Sequence, residues 1–487
     1  MRRDLNRLAN EEFDLLVIGG GIMGASIARD AALRGLSVAL VERRDFASAT
    51  SAHNSKLIHG GLRYLRNFEL GLVRESLRER RIWLDTAPHL VRPLPFLLPV
   101  TQPGTRIAYA AGLALYDSLS RNSRKSDESD RQLPAHEWLD AHNAEALEPC
   151  LAELPLRGAF RYFDAQVVSP ERLALACVLD AAENSAVPAN YVEAQALLLR
   201  KDDIVGARVS DRLGGSVLDI RAQLIVTALG PWTDLFLGRA LPRAAMPLLR
   251  SKGIHVLVPR FLRTHALTIT TKSGGHFFAI PWRDSTLLGT TDTPFDGDPD
   301  CVSVSRSEIE DFLQLVNTNL PAVQLVPAST KHAYAGLRAL VDAGARSTYK
   351  ASRRAELIDF GKLASLNGLL AVIGGKWTTA RSVAEITLNL ALKKLHRQAR
   401  ACTTTTRRLS VSDGGDMEVQ IARAVREEMA VTLEDVIMRR TSIGQEGDPG
   451  PAALEQAAKL MARECGWSDA HKRAEIAVVA ALFGFPA

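Results

Sequence analysis

Apolar residues in this chain fall in short runs that end on glycine. Phe13 to Ile18 is mostly apolar and stops at Gly19, the pattern of a buried parallel strand. Ile22 to Arg34 has helical composition and Gly35 closes it, and Leu36 to Val41 reads as a second strand. Together they form a strand–helix–strand unit that opens a doubly wound sheet. Charged and apolar residues mix at helical spacing from Glu69 to Trp83. Pro88, Pro93, Pro95, Pro99 and Pro103 then predict a chain broken into extended pieces. "IAYAAGLALY", Ile107 to Tyr116, is too short to span a bilayer and reads as a core helix rather than a membrane-resting one.

Further along, Ser120 to Pro134 is polar and reads as an exposed loop. Leu224 to Ala228 predicts a third strand, closed by "LGPW". Ile254 to Pro259 and Phe277 to Gly289 predict strands of a different, mostly antiparallel sheet. Leu369 to Ile373 is a buried strand before "GGKWTTARSVAEITLNLALKKL", a glycine turn feeding a long helix. Ala401 to Asp416 reads as a linker, and Val419 to Phe485 as a small helical domain.

Composition narrows the class. The 487 residues are 46% apolar and 24% charged, with a formal net charge of +5. This is a globular chain of two or three domains. The mild basicity suits an anionic substrate or anionic lipid. No dense Lys/Arg tract with interleaved aromatics points to nucleic acid. Five cysteines, Cys150, Cys177, Cys301, Cys402 and Cys465, stand far apart, which argues against disulfide frameworks and zinc sites and for a reducing compartment. The charged N-terminus is not expected to be a secretory signal, and no run of 18 apolar residues predicts a spanning helix. No His/Asp/Glu cluster has the spacing of a metal site.

Gly19, Gly21 and Gly24 form G-x-G-x-x-G between strand and helix. Such a turn brings backbone close to a pyrophosphate at a helix N-terminus. Glu42 ends the second strand, where a carboxylate accepts from a ribose diol, and it disfavours a ribose 2′-phosphate. The ligand is a dinucleotide, NAD or FAD. The unit is followed at once by "SKLIHGGLRYL", then much later by "LIVTALGPW" and "LLAVIGGKWTT". Scattered glycine-ended strands returning to one site suit a long ligand such as FAD.

At this point the chain resembles the FAD-dependent glycerol-3-phosphate dehydrogenases, flavoproteins that feed electrons to quinone. The stretches that carry the resemblance are "DLLVIGGGIMGASIARDAALRGLSVALVE", "SKLIHGGLRYL", "GPW", "SKGIHVLVPR", "FAIPWRD", "LLGTTDTPFDGDP", "YAGLRAL" and "GGKWTTAR". The sequence departs from the family at His53 and Asn54, in "ALGPW" where "ATG" is usual, at Ala339 after Arg338, and at Arg354, which reads as a surface residue.

The resemblance implies an α/β fold. A Rossmann-like FAD-binding domain with a doubly wound, mostly parallel sheet (13–75, 150–245, 355–398) is interleaved with a mostly antiparallel substrate or cap domain (76–149, 246–354). A linker (399–416) and a helical C-terminal domain (417–487) follow. FAD is held non-covalently by Gly19, Gly21, Gly24, Glu42, Thr50, Ser51, Ser55, Lys56, Leu57, Gly60, Gly61, Gly230, Gly375 and Lys376. A polyol phosphate is bound by Arg63, Tyr64, Arg338, Arg353, Lys376 and Thr378, with Thr379 as the alternative neighbour.

Arginines suit that role because each can bond two phosphate oxygens at once. Of the candidate bases His59, His255 and His332, the resemblance favours His255, with Arg338 and Lys376 completing the catalytic set. The implied reaction oxidises sn-glycerol 3-phosphate at C2 to dihydroxyacetone phosphate, with electrons passing to quinone. Another polyol phosphate such as a tetritol phosphate, dioxygen as acceptor, an amine or amino-acid substrate, and a non-catalytic flavin-binding subunit are the other readings. The implied place is cytoplasmic, peripheral on the inner face of the cytoplasmic membrane, and a homodimer is left open.

Overall fold

The computed structural model describes residues 1–121, 133–242, 246–271, 274–341, 354–410 and 414–484. Two sheets organise it. In the first, the strands Leu369–Gly374, Val217–Thr227, Glu12–Ile18, Val38–Val41 and Val187–Ala189 run parallel in that spatial order. Ala355–Asp359 joins one edge antiparallel. The helices Ile22–Leu33, Pro170–Glu183 and Ala380–Lys394 cover one face, and Leu15, Val17, Ala28, Val178 and Leu388 pack without solvent between them. A parallel sheet buried on both faces explains why these strands read as unbroken apolar runs.

The second sheet is mostly antiparallel. Leu248–Pro259 lies between Ser285–Gly289 and His332–Val341, and Val91–Val100 pairs along its full length with Gly158–Val167. The latter pairing corrects a boundary. Residues 158–167 belong to this sheet, so the chain returns to the first sheet only after them, not at 150. Leu57–Ile58 also pairs here, which puts "SKLIHGG" on the border between the sheets.

Two further expectations change. The proline-rich stretch is one ten-residue strand, Val91–Val100, not separate pieces. Pro93, Pro95 and Pro99 share parity, so their missing N–H groups lie along one edge. There the neighbouring strand Ala266–Thr270 reaches only Phe96 and Leu97. The helix Thr105–Arg121 is core on one face only. Leu113, Tyr116 and Leu119 are buried, whereas Ile107 is 77% and Leu115 41% exposed. Of the loop expected at 120–134, Ser120 and Arg121 still belong to the helix, and residues 122–132 fall outside the described residues, as does part of the linker.

The C-terminal part consists of the helices Met417–Glu427, Pro451–Cys465 and Asp469–Ala481 with a π-helical turn, Asp435–Arg440. Its core of Ile421, Leu433, Ile437, Leu454 and Met461 is separate from the others. No helix among the described residues is long and apolar enough to cross a membrane.

Candidate active site

The first strand ends at Ile18, and the helix Ile22–Leu33 starts after three intervening residues, Gly19 to Gly21. A Cβ on Gly24 would lie 1.8 Å from the Gly19 carbonyl oxygen, so only glycine lets the helix close onto the turn. The helix N-terminus faces the loop 47–55, and the Ile22 amide donates to Ser51 Oγ at 2.9 Å. Glu42 accepts from the Gly20 amide at 2.7 Å and from the Arg44 amide at 3.0 Å. Burial pushes its carboxyl up from the ordinary range, against those two bonds. The bonds use two of about four acceptor positions on a carboxylate.

From this turn a cleft of about 600 Å³ runs between the two sheets to the second motif. Gly19, Gly21, Glu42, Thr50, Ser51, Ser55, Leu57, Gly230 and Gly375 line it. So do Arg63, Tyr64, Arg338, Lys376 and Thr378. These donors fit FAD. A glycine turn at a helix N-terminus meets a pyrophosphate, an acid one strand over meets a ribose, and a long slot with backbone and small side chains on both walls meets the rest.

At the far end the cations are organised around an aromatic ring. Lys376 Nζ stands 3.7 Å from the Tyr64 ring centroid and 3.2 Å from Ser76 Oγ. Arg63 lies 4.8 Å from the same centroid and donates to Tyr64 Oη at 3.0 Å. Arg338, on His332–Val341, comes from the cap sheet. It donates to Ser251 Oγ at 3.0 Å and Thr290 Oγ1 at 2.8 Å. The Thr378 hydroxyl accepts from the His59 amide at 3.2 Å. His59 lines the cleft; burial, then Lys376 and Arg63, push it down to about 3, so it is neutral.

Other expected residues lie elsewhere. His255 is 3% exposed and one layer behind the wall. Its Nε2 is 2.8 Å from Ser55 Oγ, its ring stacks on Tyr334 at 5.1 Å, and Nδ1 is buried with no hydrogen-bond partner among the described residues. Burial, then Arg338 and Lys56, push its pKa well below 6.5.

Lys56 does not line the cleft. It turns inward to Glu171 at 2.9 Å and the Ala52 carbonyl at 2.8 Å, because a buried ammonium needs an anion more than a flavin edge offers one. Gly60 and Gly61 also lie behind the wall. The Gly60 amide donates to Asp164 Oδ1 at 3.0 Å, and a Cβ there would strike Tyr116 Oη rather than a ligand. Gly24 serves packing alone. His332 faces the C-terminal domain, its ring 5.7 Å from that of Phe483. Thr379 is buried at the start of Ala380–Lys394. Arg353 lies outside the described residues, and Arg354 is exposed.

Sequence reasoning missed part of the wall. Asp300, from the cap, accepts from Trp232 Nε1 at 3.0 Å and pairs with Arg43, whose guanidinium lies 4.8 Å over the Trp232 ring. His276 and Phe278 also line the cleft, and Trp377 donates to the Ser51 carbonyl at 3.1 Å. Trp232 and Trp377 stand inside the glycine-ended motifs and could have been flagged. Asp300 carries no local signal, since its partners are more than 60 positions away.

Comparison with known proteins agrees with this geometry. Residues 14–381 match the FAD dependent oxidoreductase family, and residues 385–472 match the C-terminal domain of alpha-glycerophosphate oxidase. The glycerol-3-phosphate dehydrogenase of Synechocystis is 33% identical over 96% of this chain and 95% of its own length. The chain belongs to the FAD-dependent glycerol-3-phosphate dehydrogenase family. A relative of the same name from Mycobacterium leprae is 40% identical over 79% of this chain and 64% of its own. The crystal structure of the glycerol-3-phosphate dehydrogenase from Bacillus halodurans, complexed with FAD, superposes with a TM-score of 0.78. It covers 98% of this chain and 96% of that one at 25% identity. As a member of this family the chain is an FAD-dependent oxidoreductase, and the tail at 385–472 is a recognised module rather than an irregular extension.

Proposed function

We propose that this enzyme oxidises sn-glycerol 3-phosphate at C2 to dihydroxyacetone phosphate and delivers the electrons to quinone. The observation that carries the reading is the convergence of Lys376 and Arg63 on the ring of Tyr64, all three lining the same cleft as the glycine turn. A phosphate monoester carries nearly two charges and three strong acceptors, and this arrangement supplies two cations and a phenol to it. Arg338, on the cap wall, supplies a third donor set.

The glycine turn, Glu42 and the loop 47–55 would hold FAD, which when bound would supply a two-electron acceptor for hydride leaving C2. The protein does the rest. The cations anchor the phosphate, which aims the neighbouring carbinol into the slot. The hydroxyl proton leaves as the carbonyl forms, and Ser55 Oγ, bonded to His255 Nε2, passes it to the neutral imidazole. The depressed basicity of His255 is appropriate before substrate arrives, and a bound dianion beside Arg338 offsets the guanidinium that lowers it.

Support for a peripheral, cytoplasmic-face location comes from the net charge of +5 and the exposed Ile107 and Leu115 on one face of Thr105–Arg121. Dioxygen as acceptor is the second reading, favoured by the match of residues 385–472 to an oxidase's C-terminal domain.

Anaerobic mixing with glycerol 3-phosphate while recording flavin absorbance tests the proposal. Rapid bleaching is expected, with no bleaching by glycine or proline. A yellow protein that glycerol 3-phosphate leaves unbleached would refute it. Reoxidation by a short-chain quinone under nitrogen, compared with air, separates the two acceptors.

A further inference from the structure

No described residue beyond Thr378 lines the cleft, yet contacts from the C-terminal domain reach two of the segments that do, the loop after Glu42 and the "SKL" motif. Asp45 lies three positions past Glu42, within the stretch that walls the nucleotide end. Its side chain is 1% exposed and points away from the cleft. Arg440 forks across it, Nη1 to Oδ2 at 2.7 Å and Nη2 to Oδ1 at 2.8 Å. Arg439 Nε adds a bond to Oδ2 at 2.7 Å, and Asn190 donates to Oδ1 at 3.0 Å. Both arginines sit in the π-helical turn Asp435–Arg440. The carboxylate is saturated by four donors, three of them from the C-terminal domain.

A second tether reaches the "SKL" motif. Gln445 Nε2 donates to Ser169 Oγ at 3.1 Å, and that hydroxyl donates to Glu171 Oε2 at 2.9 Å. Glu171 Oε1 accepts from Lys56 Nζ at 2.9 Å, one residue from Ser55 on the cleft wall. The other end of the Gln445 amide accepts from Arg283 of the cap at 2.7 Å. A buried ion pair is a poor source of stability, because desolvation costs about what pairing returns, whereas its directional bonds define one geometry. Two such networks, each ending one side chain short of the cleft, are placed to define loop geometry rather than to hold a helical domain on.

We propose that the C-terminal domain positions the cofactor, Arg439 and Arg440 acting through Asp45 on the nucleotide loop, and Gln445 acting through Ser169, Glu171 and Lys56 on the second motif. This rests on the reading of the cleft as the flavin site. The residues are positioning residues and touch no ligand. Retention of flavin thereby depends on contacts that never meet it.

The test uses the full-length holoprotein and three variants. Arg440→Lys keeps a cation over Asp45 but loses the fork, so no charge is left buried alone. Gln445→Ala cuts the second tether. Met461→Ala opens the apolar core of the same domain and takes part in neither tether, so it is the control for lost stability. FAD release after dilution is followed by flavin fluorescence, at a temperature where circular dichroism reports every variant folded. Losing a charge-assisted bond predicts release about tenfold faster in Arg440→Lys, and loss of a neutral bond about threefold faster in Gln445→Ala. Met461→Ala is expected within about twofold of wild type despite its lower Tm, since its cost is a cavity. Equal release from wild type, Arg440→Lys and Gln445→Ala overturns the inference, and so does Met461→Ala releasing as fast as Arg440→Lys. A wild-type protein that takes up no FAD overturns the cleft assignment itself, a result distinct from either.

Discussion

The two ends of the cleft are built by different means. The nucleotide end comes mainly from one contiguous stretch, Gly19 to Ser51, and works through backbone: a glycine turn, a helix N-terminus and a strand end. The substrate end is assembled from side chains on four separate segments. Arg63 and Tyr64 come from a 3₁₀ turn, His276 and Phe278 from one cap strand, Arg338 from another, and Lys376 from the turn before Ala380–Lys394. The first end is set mainly by backbone geometry, so it is expected to suffer more from lost backbone freedom than from most changes of side chain. The second depends on single functional groups whose supports lie elsewhere. Ser76 holds Lys376, and Arg80 at 2.5 Å and Tyr116 at 2.8 Å hold Asp164, which in turn holds the Gly60 amide.

That contrast can be broken most directly at Gly24. Gly24→Val should leave the protein without bound flavin and lower activity by more than about 10³-fold, because branched side-chain atoms would have to occupy the Gly19 carbonyl. Flavin content after desalting is the measurement, and a yellow, active variant would remove the backbone account of that end. Arg338→Ala should do the converse. It should keep its flavin while kcat/KM for glycerol 3-phosphate falls by about 10²- to 10³-fold, the cost of losing a charged partner of a dianion.

His255→Ala should slow anaerobic flavin reduction by about 10²-fold with little change in KM, since the imidazole meets the substrate only through Ser55. Ser55→Ala should slow the same step by a similar factor; a normal rate in that variant would mean that the proton leaves by another route.

The smallest effect is on stability against pH. Burial is the first cause pushing His53 and His332 down to about 4 and His59 to about 3, from 6.5. The unfolded chain therefore binds protons that the folded one refuses. Their contribution is complete above pH 6.5 and shrinks as pH falls towards 4 for His53 and His332, and towards 3 for His59. Each loses at most about 1.4 kcal/mol per pH unit. Asp45 has the opposite balance. Burial raises it, but Arg440 and Arg439 outweigh burial and take it from 3.8 down to about 2. The docking of the C-terminal domain should therefore persist through the range in which the histidines fail, and weaken only between about pH 4 and pH 2. A Tm lower at pH 5 than at pH 7, with the flavin loop still protected from hydrogen exchange, is the expected pattern.

Much of this was legible in the sequence because it is local. A run of apolar residues ending in G-x-G-x-x-G has one economical fold, since Gly24 must meet Gly19 and the strand must be buried on both faces. Glu42 follows by counting one strand further. The family-specific motifs located Arg63, Tyr64, Arg338 and Lys376 on one cleft. Two of the misplacements share a cause. Lys56 and Gly60 stand beside residues that do line the wall, but alternation along an extended chain points neighbours to opposite sides. His255 lies on Leu248–Pro259, no residue of which lines the cleft, and reaches it only through Ser55. Lys56 turned inward because Glu171, 115 positions away, was waiting for it. The helix Thr105–Arg121 read as core because apolar residues mark burial only when something covers them, and nothing among the described residues covers Ile107.

The sequence by itself determined the nucleotide turn, the two kinds of sheet and the identity of the cations, because hydrophobic period and glycine geometry act over a few residues. Only the tertiary structure decided which neighbours face the ligand, that Asp300 closes on Arg43 and Trp232, and that the π-helical turn Asp435–Arg440 grips Asp45. Those contacts join positions 68 to 395 residues apart, and no periodicity records them.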